Sequence, residues 1–211
     1  MKSTPITSLK PDMLDTLLSG IPFYKDLIFN DPDQMKVLLS HSQLFEPAPG
    51  EVVIEKGARD NVFYFLLSGQ LAVYPDGKKK GEALSYLSAG QILGALALLC
   101  KSPRTATLVA DPKSPRVQLF GADFSPFGEL ADFSKISLNT KLLLWRMVMN
   151  NTRWKLSVYR MQNPDHALSD ALQKVEAFTG EKETVEELQS LDRQIHQLTD
   201  LMQKWNQALV G

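Results

Sequence analysis

The sequence predicts an α+β protein: an antiparallel, jelly-roll-like β-roll flanked by helices, followed by a long helix and a helical, coiled-coil-like tail. Apolar residues lie at helical spacing in the first forty residues. From Leu44 to Phe120, short runs of β-branched and aromatic residues alternate with glycines, a pattern typical of a small antiparallel sandwich or roll. After Phe127 the apolar residues recur in heptads, which indicates long helices.

Two helices are predicted before the strands. Pro11 suits a first helical turn, where its missing N–H costs no hydrogen bond, and Gly20 suits the end of the same helix. Between them the apolar residues share one face: Met13, Leu14, Leu17 and Leu18. A second helix is predicted over residues 33–40.

Six strands are predicted in the middle of the chain. A turn at residues 75–77 is expected to use Gly77, because glycine tolerates a positive φ. Three lysines that follow it, residues 78–80, are expected to form a solvated loop. The predicted strands are residues 52–54, 62–67, 71–74, 83–87, 105–110 and 116–120.

The residues after Phe127 predict three consecutive helices. Asn163 and Pro164 end the first helix and start the second, which stops at Gly180. A capping box at residues 184–187 starts the third. The first helix carries a heptad seam of Leu138, Leu142, Trp145, Met149, Thr152, Leu156 and Tyr159. The third carries a seam of Leu188, Leu191, Ile195, Leu198, Met202, Trp205 and Leu209. The second seam predicts either a contact between two copies of the chain or a hairpin folded back on the preceding helices, and both alternatives stay open.

Composition excludes several classes of protein. Hydrophobic residues make up 44% and charged residues 22% of the chain, which excludes a wholly disordered chain and a polytopic membrane protein. The 23 basic and 24 acidic side chains create no overall field for nucleic acid or anionic lipid. The N-terminus lacks a signal-peptide core, and the longest apolar run, residues 92–100, is too short to span a bilayer. Cys100, the single cysteine, cannot form an internal disulfide. A cytoplasmic protein with no membrane span is therefore predicted.

The sequence offers no pattern for catalysis or metal binding. His41, His166 and His196 are far apart, and no Cys, Asp or Glu lies at metal-ligand spacing around them. No Ser-His-Asp, Cys-His or paired-carboxylate arrangement can be argued either. We therefore predict a protein that is not an enzyme and holds no metal or cofactor.

One segment, residues 90–107, has the chemistry of an anion site. Gly94 is predicted at the end of a strand and is followed by a short apolar helix. The loop after that helix is expected to place Arg104 near Gly94. Glycine lets a ligand approach the backbone closely, and free N–H groups opposite a guanidinium suit a phosphate. By composition alone, however, a buried apolar turn with a surface arginine is favoured.

The segment resembles the phosphate-binding cassette of cyclic nucleotide-binding domains, as found in bacterial catabolite activator proteins, protein kinase A regulatory subunits and gated ion channels. The cassette of that family is roughly Gly-Glu-(Leu/Met/Ile)-Ala-Leu-Leu, followed after a few residues by Pro-Arg-(Ser/Thr)-Ala-Thr. This chain has Gly94-Ala95-Leu96-Ala97-Leu98-Leu99 and Pro103-Arg104-Thr105-Ala106-Thr107. Similar blocks lie upstream in the same order, at residues 21–27, 49–57 and 60–69. The resemblance covers about residues 14–160.

The resemblance implies that the ligand is cyclic AMP or cyclic GMP. Family members that bind cyclic nucleotides hold the ribose 2′-hydroxyl with the cassette Glu, and Ala95 stands at that position. A lost hydrogen bond to a charged group costs about 1.5–3 kcal/mol, so affinity is expected to fall by about 10- to 150-fold. A different anionic ligand, or none, is also open. The implied cassette contacts are Gly94, Ala95, Leu96, Ala97, Arg104, Thr105 and Ala106, and the implied base contacts are Asn150, Asn151 and Thr152.

The predicted organisation has three parts. Residues 1–133 form a cyclic nucleotide-binding-like domain with N-terminal helices, residues 134–163 a long dimerisation helix, and residues 164–211 an acidic helical tail. Residues 165–211 hold nine acidic and four basic side chains, and no helix-turn-helix is expected there. Because phosphate contacts dominate DNA affinity, no DNA binding is predicted.

These observations predict a non-enzymatic regulatory protein. We expect a homodimer of about 47 kDa, twice the 23.6 kDa chain. It would relay a cyclic AMP-like or cyclic GMP-like ligand to an unknown protein partner through its helical tail. The alternative is a ligand-free dimeric scaffold for protein–protein interaction, and a transcription regulator is a distant third.

Overall fold

The fold was analysed in a computed structural model, which describes residues 1–75, 77 and 83–210. The chain divides into two compact units, Met1–Pro126 and Phe127–Gly211. We call the first the roll unit and the second the helical unit. Lys78–Lys80 and Asp76 of the predicted turn lie outside the described residues. Within the described residues, no helix combines the length and apolarity that crossing a membrane requires.

Three short helices open the roll unit, after a strand and a 3-10 helix at Ile6–Ser8. They are α1 (Pro11–Ser19), α2 (Pro22–Asn30) and α3 (Pro32–Ser40), and each begins at a proline. Proline suits that position because its φ is already helical and its missing N–H would have no partner. The predicted helices correspond to α1 and α3, whereas α2 was not predicted.

Among the described residues, nine strands form two antiparallel sheets, which confirms the predicted fold class. The strands are β1 (Lys2–Pro5), β2 (Ser42–Glu46), β3 (Val52–Ile54), β4 (Val62–Ser68), β5 (Gln70–Tyr74), β6 (Ser85–Ser88), β7 (Ile92–Leu93), β8 (Thr107–Ala110) and β9 (Gln118–Asp123). One sheet has the order β1-β2-β9-β4-β7 and the other β3-β8-β5-β6. A five-residue helix, α4 (Ala95–Leu99), follows β7.

Apolar side chains fill the roll unit in two places. One buried cluster, which includes Leu66, Leu71 and Leu119, is built from both sheets. Aromatic rings link α2 to the five-stranded sheet: the Tyr24 ring lies 4.8 Å from the Phe120 ring between centroids. These contacts hold β4, which follows one loop of the site, and β7, which leads into α4.

The helical unit contains two long helices, α5 (Leu138–Gln162) and α6 (Val185–Val210). Trp145 Nε1 donates to Asp192 at 3.0 Å, and Tyr159 Oη donates to Asn206 at 3.4 Å. Both partners are 47 residues further along the chain, so α5 and α6 run parallel. Two parallel helices in sequence need a connection that returns along their length.

The segment between α5 and α6 corrects one prediction. Residues 164–180 do not form an α-helix; they form turns and a 3-10 helix at Ala171–Lys174. Backbone groups of this segment form hydrogen bonds with nearby side chains in place of the hydrogen bonds of an α-helix. Ser169 Oγ donates to the Asn163 carbonyl at 2.7 Å, and His166 Nδ1 accepts from the Leu168 N–H at 3.1 Å. The segment then returns beside α5, where the Arg153 guanidinium donates to the Val175 carbonyl at 2.9 Å.

The two heptad seams are buried within one chain. Trp145 and Leu156 of the first seam and Leu198 and Trp205 of the second are each at most 3% exposed. Leu156, Leu198 and Trp205 share a buried cluster with Leu172 of the connecting segment. In the structure, the second seam therefore packs on the preceding segments of the same chain, which is the second of the two alternatives. The packing is parallel, and a simple hairpin would be antiparallel.

The start of α6 is held by a buried carboxylate. Glu187 is 2% exposed and accepts hydrogen bonds from Arg146 at 2.5 and 3.0 Å and from the Glu183 N–H at 2.8 Å. Its own N–H donates to Thr184 Oγ1 at 3.2 Å, so the predicted capping residues contact each other. Burial raises the pKa of Glu187, but the hydrogen bonds from Arg146 and Glu183 outweigh it and hold the pKa below 4.5.

We expect Glu187→Gln to lower the free energy of unfolding by about 2 kcal/mol at pH 7, the size of a charged hydrogen bond. A depressed pKa stabilises the folded state above the ordinary carboxyl range and loses that contribution as pH falls through the folded value. The variant should therefore lose part of the decrease in stability that is expected as pH falls from the ordinary carboxyl range to more acidic values. Urea unfolding across this range checks the prediction, with the exposed neighbour Glu186→Gln as the matched control. Equal effects of the two variants would contradict it.

Candidate functional site

Gly94 starts the cassette helix α4 in a conformation that favours glycine. Its φ is +80°, in the left-handed region that other residues rarely adopt. A Cβ added at Gly94 would lie 2.7 Å from Nη1 of Arg104. Glycine is therefore required both by the backbone turn and by the close approach of the guanidinium.

Arg104 is buried in the roll unit, with 3% exposure, although arginine is almost always a surface residue. Its Nε and Nη2 donate to the two carboxylate oxygens of Asp60 at 3.3 and 2.5 Å. Nη2 also donates to the Val62 carbonyl at 2.5 Å, and Nη1 donates to the Gly94 carbonyl. A buried guanidinium needs such partners, because desolvation of an unpaired charge is costly.

Asp60 is the counter-charge of Arg104, and its side chain is 44% exposed. Burial raises its pKa, but the hydrogen bonds from Arg104 and from the Val62 N–H outweigh that effect and place the pKa below its ordinary value. Asp60 is therefore ionised at neutral pH. The pair fixes Arg104 at the start of β4 and beside the turn that enters α4.

Backbone hydrogen bonds tie together the two loops that carry this pair. The Gly57 N–H donates to the Arg104 carbonyl at 2.8 Å, and the Arg104 N–H donates to the Ala58 carbonyl at 3.0 Å. The Arg59 guanidinium also donates to the Lys101 carbonyl at 3.3 Å. Residues 55–60 and 101–105 therefore form one rim around the buried arginine.

The other predicted cassette residues differ in accessibility. Ala95 is 4% and Ala97 8% exposed, whereas Thr105 is exposed. Leu96 and Ala106 are half-buried. The structure thus brings Gly94 and Arg104 into direct contact, and the ligand contacts of the full set stay a prediction.

Two residues of this region were missed by sequence reasoning. Asp60 lies in one of the blocks that carried the family resemblance, but its pairing with Arg104 spans 44 residues and has no local signal. Ser102 is the second: its Oγ is buried and has no hydrogen-bond partner among the described residues. Its N–H donates to the Ala97 carbonyl at 2.8 Å, which places it beside α4.

The predicted base contacts lie in the helical unit, on α5. Asn150 is exposed and Asn151 is half-buried. Thr152 is 2% exposed, and its hydroxyl donates to the Val148 carbonyl at 2.8 Å within the helix. The hydroxyl of Thr152 is thus satisfied by its own helix, and the base contacts stay a prediction.

The roll unit also has a cavity of about 440 Å³ away from residues 94–106. Its lining includes Thr7, His41, Gln43, Asn61 and Asp123. Its lining residues are both polar and apolar, and they include neither Arg104 nor any residue of α4.

The roll unit and the segment around Arg104 match a known domain family. Residues 45–127 match the family model of the cyclic nucleotide-binding domain. Over these residues the chain is therefore similar to the cyclic nucleotide-binding domain superfamily, which confirms the resemblance seen in the sequence.

Several known proteins are similar to this chain. A cAMP-dependent protein kinase regulatory subunit of Yarrowia lipolytica is 34% identical over 119 residues, which are 56% of this chain and 30% of that protein. The same type of subunit from Colletotrichum orbiculare is 41% identical over 99 residues, 46% of this chain and 24% of that protein. The matches thus span less than a third of these relatives. A solved structure of a protein of the cyclic nucleotide-binding kind from Geobacter metallireducens has a TM-score of 0.50 at 16% identity, covers 68% of this chain and 95% of its own, and shares the fold.

Proposed function

We propose that this chain is a non-enzymatic regulatory protein whose roll unit binds a phosphate-bearing ligand of the cyclic nucleotide type at the cassette. Arg104 carries the proposal, because its buried guanidinium lies against Gly94 at the start of α4. The similar proteins are regulatory subunits of cAMP-dependent protein kinase, so cyclic AMP is the first ligand to test.

Arg104 reaches a phosphate by exchanging one of its partners. Four of its five N–H groups donate to oxygens of Asp60, Val62 and Gly94. A phosphate takes the fifth N–H and gains another by displacing the Gly94 carbonyl from Nη1. Because Gly94 starts α4, this exchange couples ligand capture to the position of the cassette helix.

The output of such a change would pass to the helical unit, which follows the roll unit in sequence from Phe127. Its α6 carries exposed polar residues opposite the buried seam, and a protein partner that binds this face would receive the signal. A cytoplasmic location belongs to the same proposal. The absence of DNA binding also stays a prediction: it follows from the acidic tail, and a steeply salt-dependent affinity for duplex DNA would contradict it.

Calorimetric titration of the wild type with cyclic AMP and cyclic GMP tests the proposal. We expect weak binding, and Ala95→Glu should tighten it by about tenfold or more, because a carboxylate would accept a hydrogen bond from the ribose 2′-hydroxyl. The 2′-deoxy analogue is the matched control ligand and should gain nothing from the substitution. Absence of heat and of any thermal shift for both proteins, with normal circular dichroism, would exclude the sensor.

One observation favours the alternative, a ligand-free scaffold. Four of the five N–H groups of Arg104 donate to protein groups, so most of the guanidinium is satisfied without a ligand. In that case the arginine stabilises the roll and nothing more. The titration separates the two functions, since only the sensor gives binding that depends on the residue at position 95.

The predicted homodimer needs a surface other than the two seams, because their residues pack within one chain. Apolar side chains that remain exposed on α5 include Trp154, 57% exposed, and Met161, 72% exposed, which lie seven residues apart on one face. Light scattering should report about 47 kDa for the dimer. A value near 23.6 kDa at high micromolar concentration would contradict it.

A further inference from the structure

The cassette helix presents no acidic or hydroxyl side chain. α4 consists of Ala95, Leu96, Ala97, Leu98 and Leu99, and Gly94 precedes it. A ligand that approaches this helix therefore meets no carboxylate from it, and no side-chain acceptor for a sugar hydroxyl. Among the described residues, charged side chains near α4 lie on the two loops of the rim.

Those loops carry more cations than anions. Lys56, Arg59 and Lys101 are exposed, and Arg104 lies buried below them. The carboxylates of the same stretches are Glu55 and Asp60. Four cations against two carboxylates leave a formal excess of two positive charges. Asp60 is already engaged by Arg104, so it contributes little repulsion to an incoming anion.

The two loops that carry these cations are hydrogen-bonded to each other. The Arg104 backbone is hydrogen-bonded to residues 57 and 58, and Arg59 is hydrogen-bonded to the backbone of Lys101. Lys56 Nζ donates to the Pro75 carbonyl at 2.5 Å, which keeps it near the same edge of the roll. The buried Ser102 Oγ in this rim lacks a partner among the described residues and is a donor for a further ligand oxygen.

We propose that this site takes a dianionic phosphate monoester, such as a nucleoside 5′-monophosphate, in preference to a cyclic phosphodiester. The inference rests on the proposed function, because it concerns the same cassette and the same Arg104. A monoester carries nearly two negative charges at pH 7, since its second pKa is about 6, whereas a cyclic diester carries one. The positive excess of the rim favours the ligand with the larger charge. A carboxylate at position 95 would repel that ligand, and Ala95 removes the repulsion.

The test is a calorimetric comparison of adenosine 5′-monophosphate with cyclic AMP in phosphate-free buffer. We expect the monoester to bind at least about tenfold more tightly at pH 7.5, and the advantage to shrink at pH 5.5, where the monoester is mostly a monoanion. Ala95→Glu should weaken the binding of the monoester by about tenfold or more and tighten the binding of cyclic AMP. Glutamine has nearly the same size as glutamate but no charge. The Ala95→Gln variant should therefore bind the monoester with an affinity nearer to that of the wild type.

The outcomes separate the inference from the proposed function. Tighter binding of cyclic AMP than of the monoester by the wild type overturns the inference and leaves the proposed function standing. A monoester preference that does not change with pH, or equal effects of Ala95→Glu and Ala95→Gln, also overturns it, because charge would not be the cause. Binding of neither ligand to the folded wild type overturns both.

Discussion

Replacing Arg104 by alanine is expected to lower the free energy of unfolding by about 3 kcal/mol and to abolish ligand binding at the cassette. The substitution removes the hydrogen bonds that the guanidinium donates to the carbonyls of Gly94 and Val62, and hydrogen bonds to charged groups contribute about 1.5–3 kcal/mol each. It also leaves Asp60 without its counter-charge, although the 44% exposure of that side chain reduces the cost. Urea unfolding and calorimetry measure the two effects separately.

Arg116→Ala is the matched control for stability, since Arg116 also pairs with a carboxylate in the roll unit. Its partner is Glu46, and the Arg116 side chain is 63% exposed. Exposed pairs contribute less than about 1 kcal/mol, so this variant should be almost neutral. Equal losses in the two variants would mean that the buried contacts of Arg104 do not stabilise the roll. Arg104→Lys, which keeps the charge but not the fork of donors, should bind ligand poorly for the same geometric reason.

Replacing Trp205 by alanine is expected to destabilise the helical unit by about 3–5 kcal/mol, the usual cost of removing a large buried aromatic side chain. Trp205 is 1% exposed. Its ring lies 4.5 Å from that of His166 and 6.0 Å from that of Tyr159 between centroids, so it joins α6 to α5 and to the connecting segment. Loss of the ring therefore removes contacts with three parts of the unit.

Trp154→Ala provides the comparison in the same unit, because the Trp154 side chain is 57% exposed. It should change the free energy of unfolding of the monomer by less than about 1 kcal/mol, although it would weaken a dimer that uses the Trp154 face. Chemical unfolding followed by far-ultraviolet circular dichroism, at low micromolar protein, measures both variants. A small effect of Trp205→Ala would contradict the parallel packing of α5 and α6.

The departure from the family cassette gives Ala95 its importance. In a cassette with an acid at this position, the carboxylate would oppose a second negative charge on the ligand. Here the roll keeps Gly94 and Arg104 in contact, while the rim stays positively charged. Under the proposal, the residue at position 95 therefore determines which phosphate ligands the same scaffold favours.

Local sequence patterns determined much of the roll. The bounds of short strands such as β3 and β5 were predicted within a residue or two. Runs of β-branched and aromatic residues, and the glycines between them, are local signals. β1, β2 and β7 were not predicted: β7 has only two residues, and β1 is strand only because it pairs with β2, Lys2 opposite Glu46. An edge or very short strand takes its conformation from its neighbour.

The sequence by itself determined the fold class, the cassette and the existence of two heptad seams. Only the tertiary structure decided what these parts contact. The heptad pattern predicts that each seam is buried against another helix. It does not distinguish packing of α5 against α6 in one chain from packing against a second copy of the chain. Likewise, Arg104 was recognisable from its motif, whereas its burial and its pairing with Asp60, 44 residues away, depend on loops brought together by the two sheets. Periodicity is a property of neighbours along the chain, and the partner of a buried charge is a property of the fold.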